Sequence, residues 1–194
     1  MSHNERNARV LGIVCSPRND GNTQTLVRKV LDSAEKEGAT TEMWTFINKT
    51  IQPCNHCGSC IQTGECTIDD DMQELYRKMI EADGIVFGSP VYYFSVSAQA
   101  KLVIDRTYAF RRPIWKLRGK VGGAVAVAGR RGQVSTLMVI NNFFSSHGVL
   151  LPGLGVEGRA SRKGDINNDE RALTDATALG RDIVQLIVRL KKTS

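Results

Sequence analysis

Four of the five cysteines, Cys54, Cys57, Cys60 and Cys66, fall within thirteen positions in the order C-x2-C-x2-C-x5-C, with Pro53 just ahead of them. Thiolates bind soft metals and attack disulfides, so three chemistries compete for this segment: a disulfide or redox thiol, a zinc site, and an iron–sulfur cage. Two-residue gaps set successive sulfurs on one side of a tight loop, so three thiolates can converge while the fourth closes the cage. That favours a [4Fe-4S] cluster. Four-cysteine zinc sites usually separate two close pairs by a spacer of about 12 residues or more, and this segment has none. The run also departs from the bacterial ferredoxin pattern, because its last gap is longer and Thr67, not proline, follows the fourth cysteine. His56 lies between two cysteines and reads as a bystander. Cys15 stands alone at the end of an apolar run and reads as a small buried hydrophobe.

A second group of polar residues lies in CSPRNDGNTQT, residues 15–25, between an apolar run and an amphipathic one. Amides at a helix amino end, with the positive pole of its dipole, hold anions. Ser16, Thr23 and Thr25 add hydroxyls, Asn22 and Gln24 add amides, and Arg18 adds a charge. The segment therefore reads as a phosphate site, against the plainer alternative of a solvated turn in which Asn22 or Thr23 only caps the helix. No Gly-Lys-Thr makes it a Walker loop. The literal G-x-G-x-x-G, GLGVEG at 153–158, runs into polar RASRKGDINND rather than an apolar-striped helix, and reads as coincidence.

The elements that must position these groups alternate. Strands are expected at 9–14, 40–47, 85–88, 121–129 and 149–151. Helices are expected at 22–37, from Met72 to an end at Asp83-Gly84, from about 96 to 109, at 133–147 and at 169–190, with Asp69 to Asp71 as acidic caps of the second. Residues 159–170 read as a surface loop. The near-continuous apolar run VGGAVAVAG suits a sheet covered on both faces. A β-α-β-α alternation of this kind implies an α/β fold: a doubly wound five-stranded parallel sheet with helices on both faces and the cysteine-rich loop after strand two.

With SPRNDGNT at 16–23 after strand one and SPVYYFSV at 89–96 after strand three, the chain resembles the flavodoxin-like, NADPH-dependent FMN reductase superfamily. The resemblance implies that the first loop holds the FMN phosphate and the second meets the isoalloxazine. Pro90 would fix that second loop, backbone N–H groups near Val91 would bond the pyrimidine edge, and Tyr92, Tyr93 or Phe94 would cover the ring face. The bland alternative for each aromatic is core or oligomer packing. AGRRGQ at 128–133 follows strand four, where Gly129 and Gly132 would let backbone approach a planar ligand.

FMN loops combined with the compact cysteine segment, IDDDM at 68–72 and KLVIDR at 101–106 resemble the iron–sulfur flavoproteins of anaerobic archaea and bacteria. That resemblance implies FMN and a [4Fe-4S] cluster as cofactors, ferredoxin or a similar redox protein as partner, and a homo-oligomer, commonly a tetramer. All loops at the carboxyl ends of parallel strands share one rim, so cluster and flavin are expected as neighbours. Strand two lies at the flank, however, so electron transfer across a subunit boundary is the expected route.

Bulk properties fit this reading. The 194 residues, 41% apolar, suit a single flavodoxin-like FMN-binding domain over 1–194 with a cluster-binding insertion at about 48–69. No apolar run is long enough to span a bilayer, and MSHNERNAR lacks a secretory core, so no membrane insertion and a cytoplasmic location are expected. The net charge of +6 comes with no recognisable nucleic-acid module, so nucleic acid is not an expected partner. The basic stretch Arg106, Arg111, Arg112, Lys116, Arg118 and Lys120 suits a solvated face or the docking of an acidic ferredoxin. His147 is expected to close a helix as an imidazolium. The expected function is electron transfer among a one-electron donor, the cluster and FMN, with no side chain as nucleophile or general base. A cluster-free NAD(P)H-dependent FMN or quinone reductase, with Arg130 or Arg131 on the nicotinamide cofactor's phosphate, is the first alternative. A flavin-binding regulatory module with a zinc-stabilised loop is the second.

Overall fold

Strands that must be apolar on both faces make the centre of the sheet. In the computed structural model, which describes residues 7–193, β1 (Arg9–Val14) is buried after its first residue and β5 (Val121–Ala128) at every position. Residues 1–6, part of the amino-terminal stretch weighed for a signal, lie outside the described residues. β2 (Thr40–Thr45) is only partly covered, as an edge strand should be, and β3 (Gly84–Tyr92) sits between β1 and β5. With β6 (Val156–Arg159) the parallel order is β2-β1-β3-β5-β6; a sixth, two-residue strand, β4 (Ser95–Val96), folds back antiparallel on the end of β3. This is the flavodoxin-like arrangement.

Helices α1 (Asn22–Lys36) and α6 (Glu170–Thr193) cover one face, where Leu26, Val30, Leu31, Ile183 and Ile187 form an apolar layer with Val86 and Val125. The two cross closely: a Cβ on Gly180 would stand 2.2 Å from the Val30 carbonyl, and Ser33 Oγ donates to Thr177 O at 2.6 Å. Side chains from α3 (Met72–Glu81), α4 (Ala98–Arg106) and α5 (Gln133–Ser146) form the core of the other face with Ile13, Phe87 and Ala124. The remaining helix, α2 (Cys60–Thr63), is one turn in the cysteine segment.

Two elements differ from expectation. At 149–151 only one bridge, Val121 to Leu150, forms; the fifth parallel strand is β6, reached through Gly155 at φ 110, where a side chain would collide with the Ala124 carbonyl. GLGVEG therefore leads into a strand, the reverse of a dinucleotide loop. Second, β3 runs on through Tyr92, so Ser89 to Tyr92 lie on extended backbone. Pro90 is tolerated there because β1 pairs with β3 only as far as Gly88, which leaves no β1 carbonyl waiting for the missing N–H. Among the described residues no helix is long and apolar enough to cross a membrane.

Candidate functional site

The cysteine segment follows β2 and is held at its base by one buried ion pair. Asp70 and Arg106 meet at 2.5 Å with side chains 3% and 0% exposed. Arg106 also donates to the carbonyls of Gln52 at 2.8 Å and Ile68 at 3.4 Å, while Asp70 accepts from the amides of Gln52 and Met72. Both ends of the segment thus converge on one guanidinium. Burial by itself would raise the Asp70 carboxyl, but the Arg106 fork and the two amides hold it below the usual carboxylate range. The aspartates do not serve as simple helix caps, since Asp70 is engaged with Arg106 and Asp71 accepts from Thr50 N. Gln73 adds bonds to the Cys66 and Ile68 carbonyls, and Lys116 reaches Gly64 O at 2.7 Å.

Cys54, Cys57, Cys60 and Cys66 all line one pocket, with His56, Arg106 and Tyr108 in its wall. His56 and Gly58 have φ of 55° and 81°, so the chain reverses its hand twice between the cysteines, which is how a short loop turns several groups toward one centre. Burial raises the Cys60 thiol, and Cys66, Cys54 and Cys57 add to that, so Cys60 lies within electrostatic reach of the other three. Hydrogen bonds from Ser59, and one with Thr67, lower the Cys57 thiol. Among the described residues no three His, Cys, Asp or Glu side chains converge on a single-ion site. Four thiols on one pocket, Cys54 and Cys57 exposed and Cys60 and Cys66 half-buried, are a donor set of the kind a cluster takes.

The loop 15–21 delivers α1 with no side-chain cap and no acid in its first turn, so the first helical amides remain donors for an anion. Ser16 and Thr23 are buried; Ser16 Oγ accepts from Arg18 N at 3.2 Å, and Arg18 is exposed. Thr25 Oγ1 donates to Gly21 O and Gln24 Oε1 accepts from Asp20 N. Asn22 is used differently from expectation: its amide donates to Arg162 O at 2.7 Å and accepts from Gly164 N at 2.9 Å, tying residues 162–164 beside the 15–25 loop. The segment read as a mere surface loop is thus part of this wall, and a short helical turn, Asp165–Asn168, buries Ile166 beneath it. No residue pattern in 159–170 signals that contact.

On the neighbouring strand, Val91 pairs with Val96 and Tyr92 with Ser95, which leaves Tyr93 and Phe94 as a two-residue hairpin with φ of 49° and 61°. Turns of this kind favour Asn-Gly; two aromatics there are strained and held outward, Tyr93 fully exposed. The hairpin rests on the loop after β5: Ser135 Oγ donates to Phe94 O at 2.5 Å, and Gly132, at φ 101°, comes so close that a Cβ would lie 2.7 Å from Val91. Gly129 lies against Ser161. Ser97, unremarked in the sequence although Ser before a helix is a capping signal, joins two of the loops. Its Oγ donates to Cys15 O at 2.7 Å and caps α4 through Ala100 N, and its amide donates to Ser89 Oγ. Cys15 is fully buried, which pushes its thiol far up.

The hydrogen bonds that leave the cysteine segment, residues 52–68, run to Arg106, Asp70, Lys116 and Gln73; among the described residues none reaches 15–25, 89–97 or 129–132. The Arg106–Asp70 clamp ties the segment to the end of α4. His147 differs from expectation: it is 3% exposed, and burial, aided by Arg111, pushes its pKa down to about 4, so desolvation outweighs the helix dipole and the ring is neutral.

Residues 8–157 match the model of the NADPH-dependent FMN reductase family. An iron–sulfur flavoprotein of Methanocaldococcus jannaschii is 42% identical over 193 residues, covering 95% of this chain and 100% of that one. Another, from Archaeoglobus fulgidus, is 41% identical over 144 residues, 73% of each chain. Among solved structures, RosB with a bound riboflavin-phosphate intermediate superposes with a TM-score of 0.80 at 18% identity, over 96% of this chain and 81% of its own. An archaeal flavodoxin superposes with a TM-score of 0.63 at 15% identity, over 93% and 99%; at such identities the likeness concerns the fold alone. By its sequence relatives the chain belongs to the NADPH-dependent FMN reductase family and, within it, to the iron–sulfur flavoproteins.

Proposed function

We propose that this flavoprotein binds FMN with its phosphate at the uncapped start of α1 and its ring beside the Tyr93-Phe94 hairpin, and holds a [4Fe-4S] cluster on Cys54, Cys57, Cys60 and Cys66. The redox flavoprotein role follows from the family; the cluster is carried by one observation, four cysteines lining a single pocket whose base is clamped by Arg106 and Asp70. The bound groups supply one-electron and two-electron chemistry, which lets a ferredoxin-type donor feed an acceptor served by the flavin. The protein's own part is positional. Backbone amides orient the phosphate, the hairpin aromatics cover the ring, and the buried clamp orders the thiols. The cysteine segment follows the edge strand β2, with β1 between it and β3, which supports a homo-oligomer, a tetramer in our reading, in which one subunit's cysteines approach another's flavin.

Protein purified without air and assayed for iron, sulfide, zinc and flavin tests this reading. About four iron and four sulfide per chain, with about one FMN, is the expected result. Equimolar zinc without acid-labile sulfide would overturn it. A second reading, the cluster-free NAD(P)H-dependent reductase, draws on the family model and on Arg130 and Arg131, both exposed beside the ring loops. Steady NAD(P)H oxidation by iron-free protein would select it.

A further inference from the structure

Charge is distributed unevenly along the chain. Residues 106–156 contain eight Arg and Lys and no Asp or Glu, whereas the rest of the sequence balances 18 cations against 20 acids. Half of those eight lie in a strap, residues 111–118, between the end of α4 and β5. Among the described residues none of Arg111, Arg112, Lys116 or Arg118 forms an ion pair. The two outer arginines bracket an aromatic ring: Arg111 Cζ lies 5.3 Å and Arg118 Cζ 5.5 Å from the Trp115 centroid. Ile114 beside it is 71% exposed and Trp115 is 40% exposed. A purely solvated basic face has no reason to hold tryptophan and isoleucine in water, since burying each side chain would gain about 1.5–3 kcal/mol. Arginine, tryptophan and an apolar neighbour together form the composition of a protein-binding centre.

The strap also borders the cysteine pocket. Lys116 Nζ donates to Gly64 O at 2.7 Å, and Gly64 packs so near the strap that a Cβ there would stand 3.1 Å from Arg112 O. The residues just before the strap, Arg106, Tyr108 and Ala109, line the pocket itself. A partner seated on the strap is therefore seated next to the four thiols.

We propose that the 111–118 strap docks an acidic electron-carrier protein, with Trp115 and Ile114 as the apolar anchor and Arg112, Lys116 and Arg118 meeting its carboxylates. The proposal rests on the reading that the cysteines hold a redox cluster. Like-signed cations with no acid among them steer an acidic partner from solution and repel a basic one, so charge complementarity selects the occupant. The short apolar centre sets the register that charge alone leaves loose.

The test is calorimetric titration of anaerobically purified full-length protein with an oxidised, net-negative ferredoxin, comparing wild type with the double variant Arg112→Glu/Arg118→Glu and with Trp115→Ala. Iron, sulfide and flavin contents and light-scattering mass are measured on the same preparations. Expected are an affinity that weakens about tenfold or more in the double variant, a several-fold weakening in Trp115→Ala, and a wild-type affinity that falls between about 50 and about 200 mM salt, all with unchanged cofactor content and mass. Equal affinity in the reversed variant, at full cluster content, overturns the docking face alone. A changed mass in that variant assigns the strap to a second copy of this chain and overturns the proposal, as does tighter binding of a duplex oligonucleotide than of ferredoxin. Wild-type protein without iron and sulfide overturns the cluster reading and the docking face with it.

Discussion

Arg106 and Asp70 face each other inside the protein, one guanidinium nitrogen at 2.5 Å and the other at 3.2 Å from the two carboxylate oxygens. The Arg106 Nε has no partner, so the fork is committed wholly to the base of the cysteine segment. Breaking a buried pair strands a charge, and Arg106→Ala is expected to cost about 3–5 kcal/mol in urea unfolding. Arg106→Lys keeps the charge but loses the fork, so it should recover part of that stability yet bind less iron on reconstitution. Equal iron uptake by wild type and Arg106→Lys would show that the fork does not order the thiols.

The hairpin trades stability for exposure. Two aromatics at positive φ cost of order 1–3 kcal/mol each, and replacing Tyr93-Phe94 by Asn-Gly removes that strain. We expect a higher melting temperature together with FMN that dissociates several-fold more readily. A stabilised variant retaining wild-type FMN affinity would mean the aromatics do not cover the ring.

Ser97 joins three segments through one hydroxyl and one amide. Ser97→Ala leaves the Cys15 carbonyl and the Ala100 amide without their partner, a loss of about 1–2 kcal/mol measured by chemical denaturation. Because Cys15 begins the loop proposed to hold the FMN phosphate, flavin retention should fall too. Thr at this position keeps the hydroxyl and should restore both.

Acid should destabilise the fold through His147. Its folded pKa of about 4 lies below the ordinary 6.5, so below about pH 6.5 the unfolded chain binds a proton that the folded one excludes. Stability is therefore fully present above that value and declines as pH falls toward about 4, by about 3 kcal/mol at most. Thr107, whose hydroxyl lies 3.3 Å from His147 Nε2, and the nearby Arg111 are the groups facing the ring. His147→Gln should flatten this part of the unfolding profile between pH 4 and 6.5; an unchanged slope would assign the acid sensitivity elsewhere.

The parallel sheet was readable because both-face burial demands uninterrupted apolar runs such as VGGAVAVA, a demand local enough to see in eight residues. The fifth strand was misplaced because Val149 and Leu150 carry the same β-branched and apolar character as Val156; only the Gly155 turn under Ala124 decides between them, and that is a tertiary fact. Cysteine spacing announced that the four thiols would share one pocket, since residues so near in sequence need no long-range information. The clamp beneath it joins positions 36 apart and was visible only as two short motifs, IDDDM and KLVIDR, with nothing to say that they touch. Asn22 had a phosphate-like sequence setting, but its amide bonds residues 140 and 142 positions away.

Because Gln52 and Ile68 are fastened to the same side chain, the residues between them form a loop closed at its base, with Lys116 and Gln73 as side ties. Lengthening, shortening or exchanging residues 53–67 would alter the loop without shifting the strands that carry it. A descendant could thus discard or acquire the cysteine-bearing bulge in one genetic step while its flavodoxin-like scaffold remained intact.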